Sequence, residues 1–142
     1  MIQLGIISLP RILDFRGNLS FVEELNHIPF AIKRSYWIYD VPGGTELGGH
    51  AYRENEEFVI ALSGSFDVIV DDGIKKETFH LNRSYFGLYI PPKNWRQMCN
   101  FSTNALVFIL ASTKYNEKDY IRDYELFKRM MLEWKQRCTI AT

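Results

Sequence analysis

The sequence has few cysteines, no net charge and no long apolar run. Its 142 residues include two cysteines, and 17 basic side chains balance 17 acidic ones. Two cysteines cannot form a disulfide framework, and the chain begins without a basic-then-apolar leader, so we expect a cytoplasmic protein. The balanced charge argues against nucleic acid as a partner. No apolar run approaches the roughly 18 residues of a membrane span, so we expect no membrane association.

Short apolar segments separated by glycine, proline and aspartate turns dominate residues 1–115. Residues 32–39 alternate in the manner of a strand, with Arg34 and Tyr36 on one face. An Asp-Asp-Gly turn follows later and is typical of a hairpin. About eight such segments at regular spacing predict an all-β sandwich or barrel. The length favours a single domain over residues 1–142.

The end of the chain has a helical pattern. Asn116 can cap a helix, and acidic residues follow it at the positive end of the helix dipole. Large side chains then recur at spacings of four and three, which places them on one helix face. These side chains are Tyr120, Tyr124, Phe127, Met131 and Trp134. The pattern predicts a C-terminal α-helix over residues 116–137 that packs on the barrel or on a partner subunit.

One histidine lies inside an incomplete metal-binding motif. The five positions that matter, from residue 44 to residue 64, are Gly44, His50, Tyr52, Glu57 and Gly64. Their spacing resembles the first signature of the cupins, G-x5-H-x-H-x4-E-x6-G. Tyr52 stands in place of the second histidine of that signature.

A second segment, residues 91–100, resembles the second cupin signature, P-x-G-x2-H-x3-N. Arg96 stands where the last histidine ligand is expected, and a guanidinium cannot coordinate a metal. We therefore expect neither a metal nor another cofactor. Because both signatures fall on the strand-rich region, we expect a cupin-type double-sheet jelly roll over about residues 1–115, followed by the helix.

The residues retained in these signatures are suited to proton transfer. His50 is the candidate catalytic base, because a neutral imidazole near its ordinary pKa accepts protons at pH 7. Tyr52 lies two residues later, on the same strand face, where a phenol either donates a hydrogen bond or simply packs in the barrel. Glu57 is a candidate to orient His50, and the alternative is a charge at the rim of the barrel.

Three arginines are candidates for holding an anion, because the forked guanidinium suits phosphate. They are Arg16, Arg34 and Arg96, of which Arg34 shares a predicted strand face with Tyr36. Arg96 follows Trp95 after a double-proline turn, which predicts a position at the rim of the pocket. Tyr36, Tyr89 and Trp95 are candidates to stack on a base or sugar, with core packing as the competing interpretation.

Several segments of the chain resemble the sugar-nucleotide 3,4-ketoisomerases of the cupin superfamily. The resemblance spans roughly residues 14–127, and its most specific parts are IPFAIKRSYWIYD at 28–40 and DYIRDY at 119–124. It implies a metal-free homodimer, with exchange of N-terminal strands left open. It also implies conversion of a dTDP-linked 4-keto-6-deoxyhexose to its 3-keto isomer through an enediol.

The resemblance also implies roles for single residues. His50 matches the family's base at C3, while Arg16, Arg34 and Tyr36 match positions near the nucleotide or sugar. Tyr52 occupies the place of the family's second histidine. We expect a ketoisomerase with His50 as base and Tyr52 as acid or oxyanion donor. The alternatives are a C3 epimerase of a 4-keto sugar nucleotide and a non-catalytic dTDP-sugar-binding cupin.

Overall fold

The structure, a computed structural model, describes residues 3–141 and contains two five-stranded antiparallel sheets, one hairpin and one α-helix. The first sheet contains, in spatial order, β1 Gly5–Ser8, β9 Phe86–Ile90, β6 Glu57–Ser63, β11 Leu106–Ala111 and β4 Arg34–Ile38. The second contains β12 Tyr120–Ile121, β5 Leu47–Tyr52, β10 Trp95–Cys99, β7 Phe66–Asp71 and β8 Lys76–Leu81. The hairpin pairs β2 Arg11–Ile12 with β3 Leu19–Ser20. The predicted double-sheet jelly roll with a C-terminal helix is confirmed.

The main core lies between the two sheets. Alternate side chains of β7, Phe66, Val68 and Val70, point inward and are buried. They belong to one apolar cluster with Val59 of β6 and Ile109 of β11 in the opposite sheet. Burying a side chain of this size contributes about 1.5–3 kcal/mol. The period of two along each strand therefore decides which side chains hold the sheets together.

The outer face of the first sheet is also covered. Phe58 of β6 points away from the main core and packs in a second cluster with Ile28 and Phe30 of the N-terminal segment. Gly87 of β9 lies against this ring, and a β-carbon added there would lie 2.5 Å from a ring carbon of Phe58. The close packing of β6 on β9 therefore requires glycine at this position.

The helix α1, Tyr124–Ala141, covers the outer face of the second sheet. Phe127 is fully buried there against Trp95. The helix begins later than predicted, because the Asp123 carboxylate accepts hydrogen bonds from the backbone N–H groups of Glu125 and Leu126. No helix in the described range 3–141 is long and apolar enough to cross a membrane.

The segment before the helix corrects the sequence prediction. Asn116 caps a single 3₁₀ turn, Glu117–Asp119, and not the α-helix. Tyr120 then pairs with Tyr52 as part of β12, and Asp119 accepts hydrogen bonds from two backbone N–H groups of residues 54 and 55. These long-range contacts stabilise an extended segment where the side-chain spacing alone predicts helix. Tyr120 therefore leaves the helical face and lies beside the barrel.

The described residues form twelve strands, whereas the sequence predicts about eight. The difference that matters here is β5, because its consecutive glycines favour a loop before His50. Gly48 and Gly49 have φ values of 92° and 96°, which disfavour other residues. A β-carbon at Gly48 would lie 3.2 Å from the carbonyl oxygen of Arg96. The glycines therefore let β5 approach β10 closely at the point where His50 pairs with Arg96.

Candidate active site

A cavity of about 380 Å³ opens between the edge strand of the first sheet, β4, and the strands β5 and β12 of the second. Polar side chains lie beside a few apolar ones in its wall. The lining residues are Tyr36, Ile38, Leu47, Gly48, His50, Tyr52, Arg96, Met98, Tyr120 and Arg122. Such a cavity suits a small polar ligand that is oriented by a few fixed groups.

Strand alternation brings the predicted pair together. His50 and Tyr52 both lie on β5, two residues apart, and therefore point to the same side. The Tyr52 hydroxyl lies 3.2 Å from His50 Nε2. On β4 the same alternation points Tyr36 toward the cavity, whereas its neighbour Trp37 is exposed on the opposite side.

A buried ion pair organises the floor of the cavity. Glu57 and Arg96 are paired and almost completely buried, at 1% and 3% exposure. The Tyr36 hydroxyl donates a hydrogen bond to Glu57, and the Tyr52 hydroxyl donates to the same carboxylate at 3.3 Å. Arg96 donates from Nε to His50 Nε2 at 3.2 Å and from Nη2 to the Tyr36 hydroxyl at 3.1 Å. We call these five residues the inner cluster.

The burial of Glu57 and Arg96 corrects two expectations. Arg96 was expected at the rim, and a rim charge was one of the interpretations of Glu57, yet Arg96 lies on the floor of the cavity and Glu57 is buried behind it. Glu57 is the first residue of β6, and Arg96 faces the space between the sheets from β10. Each charge compensates the other, which makes the burial of both tolerable. Glu57 forms no hydrogen bond with His50, but it contacts Arg96 and Tyr52, which both contact the imidazole.

The inner cluster holds His50 and Tyr52 in their neutral forms. Burial, and then the positive charges of Arg96, Arg122 and Arg34, lower the pKa of His50 to about 3. The imidazole is therefore neutral at pH 7, and because Nε2 accepts from Arg96, the ring proton lies on Nδ1. Burial and the Glu57 carboxylate raise the pKa of Tyr52 above its ordinary value. Tyr52 is therefore a protonated hydrogen-bond donor.

A second group of side chains surrounds the opening of the cavity. Arg122 donates to Glu117 from Nε at 2.7 Å and from Nη2 at 3.0 Å, and the Tyr115 hydroxyl donates to the same carboxylate at 2.6 Å. The Arg122 guanidinium lies 4.3 Å above the ring of Tyr120. Arg34 is near, with its guanidinium 5.8 Å from the ring of Tyr115. We call these five residues the mouth cluster.

Tyr120 and Arg122 line the cavity although no sequence pattern indicates them as cavity residues. The segment that contains them, DYIRDY, carries part of the family resemblance, and the side-chain spacing predicts Tyr120 on a helix face. In β12 the side chain of Tyr120 instead lies 5.2 Å from the His50 ring, measured between ring centroids. The available signal was the second cap residue, Asp123, which permits a later start of the helix.

Two predicted binding residues lie elsewhere in the chain. Trp95 neighbours Arg96 on β10 and therefore points to the opposite face, where it packs against Tyr124 and Phe127 with centroid distances of 5.2 and 5.7 Å. Its role in one chain is to anchor the helix. Arg16 lies in an exposed turn and pairs with Asp14 at 3.0 Å, and it does not line the cavity of its own chain. Neither residue lines the cavity of its own chain, and ligand contact by either one stays a prediction.

The donor set of the cavity does not resemble that of a metal site. Within residues 3–141 no three His, Cys, Asp or Glu side chains converge on one point. Arg96 occupies a position at which a cation would otherwise be expected, between His50 and Glu57. The side chains of the inner cluster supply hydrogen bonds, a neutral base and a fixed positive charge.

Comparison with known proteins agrees with this geometry. The FdtA family model, described as WxcM-like, C-terminal, matches residues 3–132. The chain belongs to this family. A curated relative, the TDP-4-oxo-6-deoxy-alpha-D-glucose-3,4-oxoisomerase of Aneurinibacillus thermoaerophilus, is 41% identical over 124 residues, which are 87% of this chain and 89% of the relative. The predicted resemblance to sugar-nucleotide 3,4-ketoisomerases is therefore confirmed.

Solved structures of 3,4-ketoisomerases share the fold over nearly the whole chain. A 3,4-ketoisomerase from Helicobacter canadensis is 41% identical, with a TM-score of 0.88 over 92% of this chain and 98% of that one. A mutant of QdtA, a 3,4-ketoisomerase from Thermoanaerobacterium thermosaccharolyticum, was solved with TDP-4-keto-6-deoxyglucose. It is 31% identical, with a TM-score of 0.90 over 94% of this chain and 96% of that one.

Proposed function

We propose that this protein is a TDP-sugar 3,4-ketoisomerase that converts TDP-4-keto-6-deoxyglucose, or a close stereoisomer, to the 3-keto sugar. The observation that carries the proposal is the inner cluster, in which a neutral histidine, two protonated tyrosines and a buried arginine line one cavity. The reaction needs a base at C3 and a positive environment for the enediolate, and this cluster contains both. The relatives named above catalyse this class of reaction.

We propose His50 as the base. It removes the C3 proton, and the electrons of that C–H bond form the C3–C4 double bond while the C4 carbonyl oxygen becomes negatively charged. The imidazolium then returns this proton to C4, and the proton of the C3 hydroxyl is transferred to the C4 oxygen, so that the ketone lies at C3, a hydroxyl lies at C4 and no net proton is consumed. The imidazolium formed in the first step is the strongest acid in the inner cluster, so it can return the proton to C4.

Tyr52 is better suited to hydrogen bonding than to proton transfer. Burial and Glu57 raise the pKa of its hydroxyl, which makes it a weak acid but a persistent donor. The positive charge of Arg96, fixed by Glu57 and nearly without solvent contact, stabilises the enediolate in the same cavity. Tyr36 is held between the two charged partners and is placed to orient the sugar.

The ligand-free geometry includes one contact that must change during the reaction. Arg96 Nε donates to His50 Nε2 at 3.2 Å, so the lone pair of that nitrogen is occupied. If Nε2 is the base, this hydrogen bond must open; if Nδ1 is the base, the ring proton must move to Nε2, and the same bond must open. Anionic phosphates near Arg122 and Arg34 would also offset part of the depression of the His50 pKa. Substrate binding is thereby coupled to the strength of the base.

The proposal is tested by incubating the protein with TDP-4-keto-6-deoxyglucose in deuterated water and following the ring protons by NMR. We expect loss of the C3 proton and appearance of a product with its ketone at C3. A product that keeps its ketone at C4 with inverted C3 would establish the epimerase instead. Binding of the sugar nucleotide without any exchange at C3 would establish the non-catalytic binder.

We also propose a homodimer, which remains a prediction, as does the cytoplasmic location. Support comes from the N-terminal hairpin, where Ile12, Leu13 and Phe15 expose 57%, 65% and 98% of their surface. A second copy of the chain would cover these apolar side chains. Arg16 lies in the same hairpin turn and would then be available to the partner's cavity. Light scattering should give twice the 16.7 kDa mass of one chain, and a monomer would contradict the dimer.

A further inference from the structure

Three hydrogen-bond donors at the opening of the cavity converge on one carboxylate. Arg122 contributes two, at 2.7 and 3.0 Å, and the Tyr115 hydroxyl contributes the third, at 2.6 Å. Glu117 and Arg122 each expose more than half of their side chains, at 55% and 56%. The donors are therefore accessible to a ligand that enters the cavity.

The arrangement around Glu117 is one that a phosphate also accepts. A guanidinium binds carboxylate and phosphate with the same forked pair of N–H donors. Arg122 lines the cavity and stacks on Tyr120, whose ring neighbours that of His50 at 5.2 Å. The ring of Tyr120 thus contacts both the donor Arg122 and the proposed base His50. This placement suits the phosphate that is linked to the reacting sugar.

Arg34 adds a second cation near Tyr115. Its guanidinium lies 5.8 Å from that ring, and its Nε atom is buried without a hydrogen-bond partner. Arg34 forms no ion pair with any of the described residues, whereas the charge of Arg122 is neutralised by Glu117. The side chains of Arg34, Arg122 and Glu117 together carry a net charge of +1. When Glu117 turns outward, the two arginines leave a charge of +2 at the cavity. That charge matches a diphosphate.

We propose that Glu117 occupies the place of a substrate phosphate in the ligand-free protein, and that Arg122 and Tyr115 bind this phosphate when it displaces the carboxylate. The inference rests on the proposed function, since it assumes a nucleoside-diphosphate sugar. Displacement of the Glu117 carboxylate from Arg122 costs little free energy, because exposed ion pairs of this kind contribute little to stability. The diphosphate of a nucleoside-diphosphate sugar carries one negative charge on each phosphate, two in all, and brings more acceptor oxygens than the single carboxylate of Glu117, so it competes effectively.

The experiment compares TDP with thymidine, which lacks the phosphates, by titration calorimetry. Glu117→Gln removes the competing charge with little change in shape and should tighten TDP binding by about two- to fivefold. Arg122→Gln removes the fork and should weaken TDP binding by about tenfold. Thymidine affinity should stay unchanged in both variants.

Matched controls come from the exposed face of α1. Glu125→Gln removes a carboxylate that pairs with Lys128 at 3.2 Å, and Arg129→Gln removes an exposed arginine. Both change the net charge by the same amount as the test variants and should leave TDP affinity unchanged. Circular dichroism melts establish that each variant is folded.

The outcomes separate the two proposals. If the wild type binds TDP but Arg122→Gln binds it equally well, or Glu117→Gln does not tighten binding, this inference is overturned and the proposed function stands. Equal effects on TDP and thymidine, or equal effects of the control variants, also overturn it. A folded wild type that binds no TDP overturns both.

Discussion

The cavity contains two arginine–glutamate pairs that differ mainly in burial. In the inner cluster the side chains of Arg96 and Glu57 expose 4% and 1% of their surface. In the mouth cluster those of Arg122 and Glu117 expose 56% and 55%. The same type of ion pair therefore has two roles. The inner pair is part of the packed barrel, whereas in the mouth pair Arg122 can exchange the Glu117 carboxylate for a ligand without disturbing the fold.

Their positions in the chain explain the difference. Arg96 and Glu57 lie on central strands of opposite sheets, so their side chains point into the space that the two sheets enclose. Glu117 and Arg122 are five residues apart and flank the short strand β12 at the edge of the second sheet. A pair formed between sheets depends on the whole fold, and a local pair does not.

Breaking each pair in the same way should give the largest contrast. Arg96→Met leaves the buried Glu57 carboxylate without its counter-ion and should cost about 3–5 kcal/mol of unfolding free energy. Arg122→Met changes the same kind of side chain in the exposed pair and should leave the urea midpoint within error of wild type. Adding Glu57→Leu to Arg96→Met should recover part of the loss, because no uncompensated charge then remains. Equal midpoints for the two single variants would contradict this comparison.

The pH dependence of the unfolding free energy should show next that the inner cluster keeps His50 neutral. Burial and the nearby cations lower the pKa of His50 from 6.5 to about 3 in the folded chain. Between these pH values the unfolded chain binds a proton at this site and the folded chain does not, so stability falls as the pH falls from about 6.5 toward 3. Urea unfolding at pH 7 and pH 4.5 should therefore show a smaller loss in His50→Asn than in wild type. Identical losses would mean that His50 is not held neutral.

Much of the inner cluster could be predicted from the sequence. A strand places residues i and i+2 on one face, so His50 and Tyr52 were expected together, and so were Arg34 and Tyr36. The same rule shows why Trp95 and Arg96 cannot both face the cavity once residues 95–99 form a strand. That strand was not predicted, because its segment is polar and follows two prolines.

Other parts of the site depend on contacts that no local pattern reveals. Glu57 and Arg96 are buried because each neutralises the other across the barrel, and neither sequence segment alone predicts this pairing. The mouth cluster depends on which of two competent cap residues, Asn116 or Asp123, begins the α-helix. Asp123 caps the α-helix, because the preceding residues pair with β5 as strand β12 and so remain extended.

The most direct test of the account is the rate at which bound TDP-4-keto-6-deoxyglucose loses its C3 proton to deuterated water. With His50→Asn we expect this rate to fall by about 10²–10⁴-fold, as is typical for loss of a general base, while TDP affinity is unchanged. The matched variant His80→Asn changes a histidine on the outer face of the barrel, paired with Asp67 at 2.6 Å, and should exchange at the wild-type rate. Exchange by His50→Asn at the wild-type rate would contradict the assignment of the base.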